Sequence, residues 1–185
     1  MTTKKPAAWS AARQHLTTWD KPALLALVKD LYDAAAENRD FIQARCQVDG
    51  SGGAVLENYR GKIVAQFFPA RGFGKLKLGE ARKAIRDYRK ATGDLPGTAE
   101  LLMTYVENGT RFTHEFGDID ERFYGSVESA LEELATLLRG EARALYPQFS
   151  ARLATAEQMT SGIGWGFHDF VADVVGRLEA ELGGP

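Results

Sequence analysis

The stretch FHDFVADVVGRL, Phe167 to Leu178, decides the fold class. Phe167, Phe170, Val171, Val174, Val175 and Leu178 sit at offsets 0, 3, 4, 7, 8 and 11. That spacing lines one face of a helix with 3.6 residues per turn, and a strand of period two cannot reproduce it. Upstream the same period recurs and strand alternation is nearly absent. Pro147 opens a helix carrying Phe149, Leu153, Ala156 and Met159. Before it, Val127, Leu131, Leu134 and Leu138 run to Gly140 on a helix that starts between Asp118 and Ser126. Thr98 is the expected N-cap of the longest helix, which carries Leu101, Leu102, Tyr105, Val106, Phe112 and Phe116. Gly109 lies on that stripe, where a missing side chain permits close helix approach or a kink.

The first half of the chain reads the same way. Gly93-Asp94-Leu95-Pro96-Gly97 is a stop and turn. A helix from about Leu78 to Thr92 precedes it, and one from about Ala54 to Phe67 carries Leu56, Tyr59, Ile63 and Phe67 inward before Pro69 ends it. Asp49-Gly-Ser-Gly-Gly53 is a loop, and Asn38 is the expected cap of a shorter helix with Phe41, Ile42 and Cys46. Asp20 caps a helix whose first turn tolerates Pro22 and whose expected inner face is Leu24, Leu27, Val28 and Leu31. A short helix over Ala7–Leu16 comes first. The expected fold is all-α, an irregular antiparallel array or bundle of eight or nine helices. Residues 1–18 form an arm or short helix, and residues 19–185 a single domain.

A chain of 185 residues buries about 70% of its surface on folding and needs no staples. No apolar run approaches the roughly 20 residues of a membrane span, and the polar start Met1–Pro6 lacks a secretory apolar stretch. Cys46, the single cysteine, cannot form an internal disulfide and is expected to be a small buried apolar residue. These features point to a cytoplasmic protein without a membrane partner.

By Leu31-Tyr32-Asp33 and Phe68-Pro69 the chain resembles an uncharacterised bacterial family of unknown function. The likeness covers roughly Leu16 to Val174. It rests on Asp20–Tyr32, on Phe67-Phe68-Pro69 before a basic loop, on Leu102–Gly109 and on Phe112–Tyr124. Gly162–Asp169 fits only part of that family. The resemblance implies an all-helical fold in a prokaryotic cytoplasm, and it brings no activity, substrate or site with it.

Charge distribution supplies the functional signal. The whole chain carries −2, but Arg71 to Lys90 carries +6, which leaves −8 on the rest. The basic residues are Arg71, Lys75, Lys77, Arg82, Lys83, Arg86, Arg89 and Lys90, against Glu80 and Asp87. With Ile85 at the centre of the buried stripe and about 100° per residue, Arg89, Arg82, Arg86, Lys90 and Lys83 form one continuous arc. Arg82, Arg86 and Arg89 are its leading members. Such an arc fits nucleic acid, another polyanion or an acidic protein partner, and equally a solvated face neutralised by the protein's own carboxylates. Gly72-Phe73-Gly74-Lys75 before a helix start lacks the spacing and strand of a nucleotide loop.

Two other groupings carry weaker chemistry. His114 and Asp118, four apart, with His168 and Asp169 are candidate metal ligands for a small metal-dependent enzyme. The alternative makes Asp118 an N-cap with Glu121 as its reciprocal acid. Gly162-Ile-Gly-Trp-Gly-Phe-His168 reads as a structural corner with Ile163, Trp165 and Phe167 packing inward, or as a pocket floored by Trp165 with His168 at its rim. No serine or cysteine is tied to a histidine by a recognisable motif, so no catalytic residue is assigned, and no cofactor is implied. The leading expectation is a non-catalytic module that engages a polyanion through Arg71–Lys90. The alternatives are the metal-dependent enzyme and a structural subunit of a complex.

Overall fold

The computed structural model describes residues 9–46 and 52–184. All regular structure among them is helical, and no helix is long and apolar enough to cross a membrane. The helices are α1 (Trp9–Leu16), α2 (Lys21–Ala34), α3 (Ala36–Cys46), α4 (Gly52–Phe67), α5 (Leu78–Thr92), α6 (Leu95–Phe116), α7 (Glu121–Arg139), α8 (Tyr146–Met159) and α9 (Phe167–Leu182). A 3-10 turn, Arg143–Leu145, leads into α8. Part of the expected first helix (7–8) and of the expected loop (49–51) lies outside the described residues.

The hub is α6, which packs against α4, α5, α7 and α8, while α9 closes the far side against α7 and α8. Its stripe is buried as its spacing requires, with Leu101, Leu102, Tyr105, Val106 and Phe112 fully enclosed. On α9, Phe167, Val171, Val174, Val175 and Leu178 are buried and Phe170 is half-buried. Phe67 closes α4 at the centre of an aromatic cluster, edge-on to Tyr105 at 5.3 Å and to Phe123 at 6.3 Å.

Gly109 brings α6 and α7 together. A Cβ there would stand 2.6 Å from Val127 Cγ2. Gly109→Val should therefore cost about 1–3 kcal/mol through overpacking, read as a lower urea midpoint. Gly125→Ala is the control: its Cβ meets nothing within 4 Å, and removing a mid-helix glycine should stabilise by up to about 1 kcal/mol.

Several local expectations are corrected. The cap of α6 is Asp94, whose Oδ1 accepts from Gly97 N at 3.1 Å, and Thr98 is buried inside the first turn. Gly93, at φ +68°, ends α5, and Pro96 fits the next first turn because its missing N–H would have had no helical partner. The cap of α7 is Asp120, accepting from Phe123 N at 2.7 Å, so the Asp118–Glu121 box does not form. Asn38 lies within α3, its amide donating to Leu31 O. Cys46 is exposed. Phe116, at the end of the α6 stripe, is 49% exposed, and Trp165 points to solvent rather than into the corner.

The largest departure concerns α2. Of Leu24, Leu27, Val28 and Leu31, read as an inner face, Leu27 is half-buried and the other three are exposed, as is Leu25. Neither α1 nor α2 contains a buried residue, and among the described residues α2 packs chiefly on α3.

Candidate anion-binding site

The basic segment begins in the connection between α4 and α5. That connection is pinned to the end of α4: Leu76 N donates to Gln66 O at 2.9 Å, and a Cβ on Gly74 would meet Phe67 O at 2.2 Å. Glycine is needed at 74 for close backbone packing, so the Gly72–Lys75 stretch is a buttress and not a phosphate cradle. Gly72 adopts φ +77° and turns the chain. Arg71 and Lys75 project into solvent from this anchored loop.

On α5 the buried face comprises Leu78, Ala81, Ala84, Ile85, Tyr88 and Ala91. The opposite arc carries the expected cations, which divide into two sets. Arg82 is largely buried; its guanidinium donates to Glu133 on α7 at 2.8 Å and lies over the Tyr105 ring. Arg89 stands 3.8 Å from the same carboxylate. Lys83 pairs with Asp87 at 2.6 Å and Lys77 with Glu80 at 2.8 Å, each within one turn. Arg82 therefore ties α5 to α7, a tertiary role its position on the arc did not reveal.

Arg71, Lys75, Arg86 and Lys90 have no carboxylate within ion-pair distance among the described residues. Arg86 and Lys90 are four apart, both exposed, on the last two turns of α5. A third cation joins them from another helix. Arg45 of α3 donates through its guanidinium to Lys90 O at 2.7 Å, satisfying a carbonyl at the helix C-terminus, where the dipole favours positive charge. Arg45 is the contributor that spacing missed, since it lies 45 residues away in sequence.

The candidate metal ligands are used otherwise. His114 donates from Nδ1 to Met159 O at 3.1 Å, and His168 Nδ1 is hydrogen-bonded to Thr160 Oγ1 at 2.9 Å. The two histidines thus bracket the end of α8. Asp118 accepts from Tyr124 OH at 3.1 Å, and Asp169 is exposed in the first turn of α9. Among the described residues no group of three or more His, Cys, Asp or Glu side chains is arranged to hold a metal.

Against protein-family models, curated proteins and solved structures the chain finds no match. The chemistry of the surface is the guide to function.

Proposed function

We propose that the protein is a binding module that engages a polyanion, nucleic acid in the first instance, through the unpaired cations of the loop and of α5. One observation carries this reading: Arg86 and Lys90 stand one turn apart in solvent with Arg45 bonded to the Lys90 carbonyl, and among the described residues no acid lies within ion-pair distance of either. Like charges at this spacing repel by a few tenths of a kcal/mol, a cost an external anion relieves. The arc of five narrows to these two, because Arg82, Arg89 and Lys83 already face carboxylates. A cytoplasmic setting belongs to the same proposal; the exposed thiol of Cys46 suits a reducing compartment.

Salt dependence provides the test. If Arg71, Lys75, Arg86 and Lys90 each neutralise one phosphate of duplex DNA, log K against log salt should fall with a slope of about −3.6. Reversing Arg86 and Lys90 to glutamate should at least halve that slope and weaken binding more than tenfold at low salt. Both positions are exposed, so the fold survives the change. Equal affinity of the two proteins at every salt concentration would sink the reading. Reversal of Arg82 is no substitute, because it breaks the α5–α7 contact.

A further inference from the structure

At the opposite end of α5 from Arg86 and Lys90, the anchored loop leaves an aromatic edge open to solvent. Phe73 is 61% exposed and Phe116 49% exposed, with ring centroids 4.8 Å apart and an interplanar angle of 71°. Both rings rest on Phe112, which is fully buried, at 5.3 and 4.7 Å. The pair is thus a fixed surface rather than two loose side chains. Arg71 and Lys75 flank Phe73 in the chain at two residues on either side, exposed and without an internal carboxylate partner among the described residues. The acids that follow Phe112 and Phe116 are engaged: Glu115 pairs with Arg111 at 2.6 Å, Asp118 accepts from Tyr124, and Asp120 caps α7.

We infer that the Phe73–Phe116 edge is a base-stacking site for single-stranded nucleic acid, with Arg71 and Lys75 holding the phosphates beside it. This rests on the polyanion reading and narrows it to one ligand class. Nucleic-acid bases stack on aromatic faces whatever their sequence, and cations beside the ring track the backbone. A duplex hides its base faces, and a polyphosphate has none, so only an unpaired strand satisfies both halves of the site. A partner helix would instead call for an aliphatic groove, whereas the exposed apolar surface here consists of phenyl rings between cations.

The test uses the full chain and three probes: an oligothymidylate of about 15 nucleotides, a duplex of equal length, and inorganic polyphosphate. Phe73→Ala should weaken oligothymidylate binding about tenfold and leave the other two unchanged. Phe73→Trp should restore or tighten it, and Phe116→Ala should repeat the loss independently. Stacking is overturned if Phe73→Ala leaves oligothymidylate affinity intact or lowers all three affinities alike, and equally if the wild type binds the strand no better than polyphosphate. These results leave the anion reading standing. Failure of the wild type to bind any of the three overturns both.

Discussion

Phe67→Ala should lower the melting temperature by about 6–20 °C. The ring is 1% exposed and meets aromatic rings of two other helices, Tyr105 and Phe112 of α6 and Phe123 of α7. Deleting such a ring removes its transfer free energy and leaves a cavity that rigid aromatic neighbours fill poorly, at a cost of about 3–5 kcal/mol. A chain of this length loses about 2–4 °C per kcal/mol. Calorimetry of the two proteins settles it, and a shift below 2 °C would mean that the cluster collapses around the gap.

Arg152→Met should produce the second largest loss, with a distinctive pH dependence. Arg152 on α8 reaches two carboxylates of α6 at once, Glu100 at 2.6 Å and Glu107 at 2.7 Å, while Arg60 of α4 also binds Glu100 at 3.0 Å. Burial pushes the Glu100 carboxyl up, but the hydrogen bonds and charge of Arg152, aided by Arg60, outweigh burial and hold it below the usual carboxylate range. A carboxyl depressed in this way contributes stability above its unfolded pKa, about 4.3, and that contribution is lost as pH falls through the folded value. Removing Arg152 leaves burial opposed by Arg60 alone, so the Glu100 carboxyl moves back up. The loss should be about 2–4 kcal/mol at pH 7, discounted for partial exposure from the full cost of breaking a buried pair. It should shrink below pH 4. Thermal melts of both proteins at pH 7 and pH 3 provide the comparison, and an equal loss at both would remove the carboxylates from the explanation.

How far the sequence foretells this molecule depends on whether a feature is local. The stripe of α9 is legible because spacing alone says which residues share a face, and a strongly apolar face finds cover. Spacing says nothing of what does the covering. The Leu24–Leu31 stripe repeats the start of the α9 pattern, yet Leu24, Val28 and Leu31 stand in water, because among the described residues α3 is the main cover beside it. Caps are legible to within a few residues. Asp94 competes with Thr98, and Asp120 with Asp118; in each case the aspartate in extended backbone immediately before the first helical residue wins, Thr98 being already inside α6 and Asp118 two residues too early for α7. The basic arc of α5 is placed correctly by arithmetic on helix angle. Its partition into paired and free cations depends on Glu133, 51 residues from Arg82, and on Arg45, which no periodicity connects to Lys90. Phe73 and Phe116 meet only because the loop folds back over the end of α6.

The poor enclosure of α1 and α2 sets a gradient of permanence along the chain. Opening α1 and α2 exposes no side chain of theirs that was fully buried, so it costs less than unfolding the rest. Deuterium or a protease therefore enters α1 and α2 early, in molecules whose later helices are still shut.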